Sequence, residues 1–185
     1  SRALPEQHLS DWTIYEPSSN WYEPGHHFEW SWLLRQLQRL GGDDHSRMIK
    51  ILSERPLSEG FNHSSVVIEQ VGLQNNFKKQ SSRNWGICEF IKFCAAEYQE
   101  ALWQKDEMAS ILWKSRSLDA LKAFRRSFLS TPLKGLWHDI ISEVGSPITD
   151  YAPASSLYHI LFAIAEVERV FTRVVPQKST FSPRR

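Results

Sequence analysis

The segment from His26 to Leu40 constrains this chain more than any other. At about 100° per residue, His26, Glu29, Leu33, Leu37 and Leu40 fall on one stripe of a helix, while Phe28, Trp30, Trp32 and Leu34 cover other sides. Glu23-Pro24-Gly25 is a turn signal with proline where a helix tolerates it best, at its first position, and Gly41-Gly42 supplies the stop. A helix that is apolar nearly all round is expected to be buried on several sides. That requirement favours a layered helical domain, with inner helices packed on both sides and outer helices half exposed.

The remaining segments fit the same plan. A second helix, capped by Asp44 or Ser46, is expected to run to about Glu54, with Arg55-Pro56 stopping it. Residues 60–79 are the least helical stretch, and Val66-Val67-Ile68 reads as one or two short strands. A third helix spans about Asn84 to Trp103, with Trp85, Glu89, Lys92 and Ala96 on one stripe. A fourth starts near Asp106 and reaches Leu129, with a break near Ser115–Ser117; Leu118, Leu121, Phe124 and Phe128 are expected inward. Thr131-Pro132 opens a loop or small hairpin that turns at Gly145-Ser146-Pro147. Pro153 opens a last helix running to about Thr172. The opening stretch to Tyr22 reads as loop or short helix, and residues 174–185 as a disordered tail, leaving one domain over residues 1–173.

Several classes of function are disfavoured at once. A formal net charge of +1, with no basic stripe, argues against nucleic acid as a partner. No apolar run approaches the roughly 18 residues of a membrane span; the longest, Leu157 to Ala165, is interrupted by His159. Cys88 and Cys94 are too few for a disulfide scaffold and fit a reduced, cytoplasmic location. There is no Gly-rich phosphate loop and no G-x-S-x-G elbow. His26, His27, Glu29, His138 and Asp139 are possible metal ligands but lack an H-E-x-x-H or paired C-x-x-C spacing, so no metal is expected.

Three constellations stand out. His26 and Glu29 share a stripe near the start of the first long helix, where a carboxylate could orient an imidazole that exchanges protons near neutral pH; a local hydrogen-bonded pair is the plainer reading. His159 lies in the first turn of the last helix, inside Leu157-Tyr158-His159-Ile160-Leu161-Phe162. The positive end of that helix disfavours imidazolium, so the ring could serve as a base; a hydrogen-bonded core histidine is the alternative. Glu89 lies one turn beyond Trp85, either as a site carboxylate or as a solvated residue beside a core indole. The 8 Trp, 10 Phe and 5 Tyr suit the C–H faces of sugars and a helical core equally.

These residues lie in recognisable company. Glu23-Pro24-Gly25-His26-His27-Phe28-Glu29-Trp30-Ser31-Trp32-Leu33-Leu34 resembles the E-P-G-H-x-F-E-W-x-W-L-L signature of the N-acylglucosamine 2-epimerase and mannose isomerase superfamily. Pro153-Ala154-Ser155-Ser156-Leu157-Tyr158-His159-Ile160 and Gly135-Leu136-Trp137-His138-Asp139 are similar to its P-A-S-S-L-Y-H-I and G-L-W-x-D elements, in the same order. Trp85-Gly86-Ile87-Cys88-Glu89-Phe90-Ile91-Lys92 keeps the Trp, Glu and Lys of W-P-Q-x-E-x-x-K but not its Pro and Gln.

The resemblance implies an all-α fold, the C-terminal portion of an (α/α)6 barrel with a short β-rich insertion. It also implies cofactor-free epimerisation or aldose–ketose isomerisation of a hexose or N-acylhexosamine. His26 and His159 would be the acid/base pair, with Glu29, Trp85 and Glu89 binding the monosaccharide. The helices that close the family's barrel, and its arginine-bearing sugar motif, have no counterpart in these 185 residues. The chain is therefore expected to associate with a missing N-terminal half or with itself. A non-catalytic remnant serving as a binding or oligomerisation module is the other reading.

Overall fold

A computed structural model describes residues 4–16, 20–74 and 77–172. Five helices carry the fold: α1 Pro24–Arg39, α2 Ser46–Glu59, α3 Asn84–Gln104, α4 Glu107–Phe128 and α5 Leu157–Thr172. Five short strands accompany them: β1 Trp21–Tyr22, β2 Gln70–Gly72, β3 Lys78–Lys79, β4 Ser82–Arg83 and β5 Ile140–Ile141. The expected tail, residues 174–185, lies outside the described residues. Among those described, no helix is long and apolar enough to cross a membrane.

α3 is the hub, packing against α1, α4 and α5, while α2 packs against α1. Fifteen of its 21 residues are buried, as a helix covered on several sides must be. The core gathers around Phe28 of α1, whose ring centroid lies 4.8 Å from that of Phe90 and 5.6 Å from that of Phe93, both on α3. Cys88 and Cys94 are free and buried in it. At the end of α1 and α5 remote from their first turns, Glu166 of α5 ties the two together. It accepts a hydrogen bond from Gln36 Nε2 at 2.9 Å and pairs with Arg39 at 3.7 Å and Arg169 at 2.7 Å.

Several expectations need correction. α2 does not stop at Arg55-Pro56 but runs through Pro56 to Glu59. Tertiary bonds hold that last turn: Arg55 pairs with Glu59 and donates to the Gly72 carbonyl at 2.8 Å, and Tyr22 donates to Glu59 at 3.1 Å. α4 is continuous through Ser115–Ser117, and its inward stripe is Ser117, Ala120, Phe124 and Phe128. Leu118 is exposed; Ser117 and Ala120, being small, let α4 approach the hub closely. Val66-Val67-Ile68 is buried but lies outside the strands, with only Val67 bridging to Phe61. The three-stranded antiparallel sheet instead runs β1-β2-β3, pairing Tyr22 with Val71 and Gln70 with Lys79. Trp21 and Tyr22, expected in a loop or short helix, thus form its first strand.

α1 departs from expectation most. It buries Phe28, Ser31 and Arg35 toward α3, yet Trp30, Leu33, Leu37 and Leu40 are exposed. Trp32 and Leu34 pack in part against the core, so α1 is covered on some sides and left open, among the described residues, along Trp30, Leu33 and Leu37.

The start of α1 lies unusually close to α3. A Cβ added to Gly25 would fall 2.6 Å from the Trp85 ring and 3.1 Å from Gly86 Cα. Gly25→Ala would gain roughly 0.5–1 kcal/mol in helix propensity but incur about 1–3 kcal/mol of overpacking, so the clash wins. Urea denaturation of the variant should show a lower midpoint and an altered tryptophan emission; an unchanged or higher midpoint would mean that the indole yields freely.

Candidate active site

The first turns of α1, α3 and α5 open on one hollow of about 340 Å³, within the roughly 300–1,000 Å³ typical of small-molecule sites. Glu23, His26 and Glu29 line it from α1, Arg83 and Trp85 from the start of α3, and Ser155, Ser156, Tyr158 and His159 from the start of α5. Larger hollows lie elsewhere among the described residues, one over the 131–152 loops and one between α2 and α4. Neither of these two is lined by a pair of histidines.

The elements meet here because a clasp joins them. β4 pairs with β5 in the register Ser82 to Ile141 and Arg83 to Ile140. Asn84, the first residue of α3, donates its backbone N–H to the Asp139 carbonyl at 3.0 Å. Its side-chain amide lies 3.2 Å from the His138 carbonyl and 3.4 Å from Ser156 Oγ. Trp137 Nε1 donates to the same Ser156 Oγ at 3.0 Å. The Leu136-Trp137-His138-Asp139 segment therefore holds the starts of α3 and α5 together. His138 and Asp139, considered as metal ligands, serve in this clasp, and His138 turns to the Ser130 carbonyl at 3.3 Å.

Each histidine of the hollow has its own carboxylate. His159 Nδ1 lies 2.6 Å from Glu89 Oε1, and Glu89 is fully buried, so the reading of Glu89 as a solvated residue fails. Glu89 Oε2 in turn lies 2.6 Å from Lys92 Nζ. His26 Nδ1 lies 2.5 Å from Glu6 Oε2 and 3.6 Å from Glu23 Oε2. The partner of His26 is thus Glu6, which the sequence did not single out, and not Glu29. Trp85 joins the two histidines: its ring centroid is 4.7 Å from that of His26 and 5.8 Å from that of His159. Glu29 lines the hollow and makes no hydrogen bond to another described residue, which leaves its carboxylate free for a ligand. Glu89 lies beneath His159 and outside the lining.

His27 explains how Glu6 arrives. It is buried, its Nε2 accepts the Leu4 N–H at 2.9 Å, and its Nδ1 faces the Glu23 carbonyl at 3.2 Å. That anchors residue 4 to α1 and brings Glu6 alongside, where its Oε1 accepts the Glu23 N–H at 2.6 Å. Glu6, Glu23 and His26 also form the one group among the described residues whose ligand atoms lie close enough to share a metal ion, within 4.8 Å of one another. His27, Glu29, His138 and Asp139 do not join it.

The electrostatics separate the neighbouring histidines. Burial pulls His26 down, but the hydrogen bond and charge of Glu6, with the charges of Glu23 and Glu29, outweigh it and hold the ring above its ordinary value. Burial dominates at His27 and lowers it. The signs for stability are opposite. His26 contributes below its unfolded value of about 6.5, and loses that contribution as pH rises through its raised folded value. His27 contributes above about 6.5 and loses it as pH falls through its lowered one. NMR titration of the two rings should place His26 above and His27 below roughly 6.5; the reverse order would refute the assignment of their partners. Glu29 is raised, chiefly by burial and then by the charge of Glu89. Tyr158, its ring centroid 3.8 Å from that of His159, is also raised by burial and by both carboxylates.

The profile of the N-acylglucosamine 2-epimerase (GlcNAc 2-epimerase) family matches residues 1–163. The chain belongs to that family. A mannose-6-phosphate isomerase of Rhizobium meliloti (strain 1021) is 33% identical over 177 residues, covering 94% of this chain and 44% of that protein. Among solved structures, a D-mannose isomerase superposes with a TM-score of 0.71 at 17% identity, over 88% of this chain and 43% of that one. The cellobiose 2-epimerase of Bacillus thermoamylovorans B4167 gives 0.64 at 18% identity, over 82% and 38%. The fold is therefore part of the family's (α/α)6 barrel, and the chain spans less than half the length of these relatives. Within the barrel, α1, α3 and α5 alternate along the sequence with α2 and α4.

Proposed function

We propose that this chain carries the proton-transfer centre of a sugar epimerase or isomerase acting on an open-chain hexose or hexose derivative. The observation that carries the reading is the pair of imidazoles, each held by its own carboxylate, against one indole wall of one hollow. Relatives described as mannose-6-phosphate isomerase, D-mannose isomerase and cellobiose 2-epimerase support a substrate with a hexose reducing end.

In this reading His159 takes the C2 proton through Nε2, because Nδ1 is engaged with Glu89. His26, favoured in its protonated form by Glu6, donates to the aldehyde oxygen. The electron pair left by C2–H becomes the C1–C2 double bond of an enediol, with negative charge developing on O1 before His26 protonates it. The positive first turns of α1, α3 and α5 face that developing charge. Return of a proton to C2 from the opposite face, with the O1 proton going back to His26, gives the epimer. Delivery to C1, with loss of the O2 proton, gives the ketose. Glu29 accepts from a sugar hydroxyl, and Trp85 lies against the C–H face. The exposed apolar residues of α1 and α5, Trp30, Leu33, Leu37, Leu161 and Phe162, border the side that the rest of a barrel would cover.

The test is incubation in D2O with mannose, glucose, fructose, mannose 6-phosphate and N-acetylated hexosamines, followed by NMR of the C1 and C2 positions. Deuterium at C2 of an aldose or C1 of fructose supports the reading. If an assembly with its apolar faces covered, verified by native mass, still exchanges nothing, the non-catalytic reading takes its place.

A further inference from the structure

We propose that Lys92 is a positioning residue for this centre: its ammonium, sealed beneath the hollow, supplies the charge that Glu89 needs and thereby leaves His159 free to act as a neutral base. The proposal rests on the proton-transfer reading above but is read from different atoms. Glu89 is fully buried, and a buried carboxylate must be matched by a cation. Two candidates touch it from opposite oxygens, Lys92 Nζ at Oε2 and His159 Nδ1 at Oε1, each at 2.6 Å. The Lys92 side chain is only 3% exposed, and its ammonium sits 4.0 Å from the centroid of the Trp32 ring. Glu89 is the acid with which it pairs.

If both candidates carried charge, one carboxylate would face two buried cations. The balanced arrangement has the ammonium charged and the imidazole neutral, with Nδ1–H donating to Glu89 and the lone pair on Nε2. Other groups around His159 pull in both directions. Glu29 on α1 favours a charged ring, whereas His26 on α1 and Arg83 before α3 oppose it, and Tyr158 on α5 is a neutral donor. Lys92 stands apart because it is ion-paired with the carboxylate that His159 uses. The i, i+3, i+7 spacing of Glu89, Lys92 and Ala96, with Trp85 a turn earlier, places wall, carboxylate and counter-charge along one face of α3.

The test is 15N NMR of the histidine-labelled chain at pH 7. In the unmodified protein His159 should show a protonated Nδ1 and an unprotonated Nε2. In Lys92→Met, Glu89 loses its other cation and His159 should appear as imidazolium, with Lys92→Arg restoring the neutral ring. The limb of C2 exchange that rises with pH should move up by about one unit or more, a tenfold loss at fixed pH on that limb. A purely structural lysine would lower the denaturation midpoint and leave the ring's form and the pH limb unchanged; a neutral His159 in folded Lys92→Met overturns the proposal. If that variant does not fold, the unmodified chain still decides, because imidazolium at position 159 at pH 7 refutes it directly. A ring that switches form while no variant exchanges any sugar would support the role of Lys92 and count against the proton-transfer reading.

Discussion

Alanine at position 89 is expected to destabilise the chain by about 3–5 kcal/mol, the usual penalty for breaking a buried ion pair from one side. Glu89 is fully buried, and its removal strands the Lys92 ammonium under the Trp32 indole. It also leaves His159 Nδ1 without its partner. Urea denaturation followed by far-UV circular dichroism measures the loss. Adding Lys92→Met to Glu89→Ala should recover a substantial part of it, because the stranded charge disappears. A loss below about 1 kcal/mol for the single variant would mean that water reaches Lys92, and the sealed network described above would be wrong.

His159→Asn carries the largest expected effect on chemistry. Removing a general base typically costs 10²–10⁴-fold in rate, and C2 exchange in D2O should fall by about that much. Asparagine is smaller than histidine but can still donate an amide N–H to Glu89, so the helical circular dichroism should be unchanged. A fully active His159→Asn variant would remove the proposed base. His26→Gln, by contrast, should impair protonation of the aldehyde oxygen while leaving the Glu89–Lys92 pair intact.

Helix positions were legible from periodicity and punctuation, because Pro24, Gly41-Gly42, Asp106 and Pro153 act locally on the backbone. The exceptions have tertiary causes. Pro56 stays inside α2 because Arg55 and Glu59 are tied to the β1–β2 sheet, which is assembled from segments about 50 residues apart. Phe28 could be read as core from α1 alone. Leu33 and Leu37 could not be distinguished from it, because a helix records how apolar each side is and not whether anything covers it. In the site, His26, Glu29, Trp85, Glu89 and His159 were singled out within recognisable stretches, and all five lie in the hollow or directly beneath it. Glu6 was missed because it lies in a segment without periodicity. The anchoring of Leu4 by His27 brings it alongside α1, and nothing local marks that contact. Asn84 and Ser156 were passed over for a similar reason: each is an ordinary helix-start residue until the clasp brings them to one point.

The bond between Glu166, Gln36 and Arg39 gives the site a mechanical character. At one end α1 and α5 are fastened by a carboxylate; at the other a flat indole on the helix between them touches both histidines. The arrangement is a pair of tongs with a shim between the tips. In the proposed reaction the gap in which the sugar would lie is thus gauged by Trp85, a residue that does not itself titrate. Changing that one ring for a thinner or smaller one would recalibrate the gap while leaving both titrating groups, and the carboxylates that hold them, untouched.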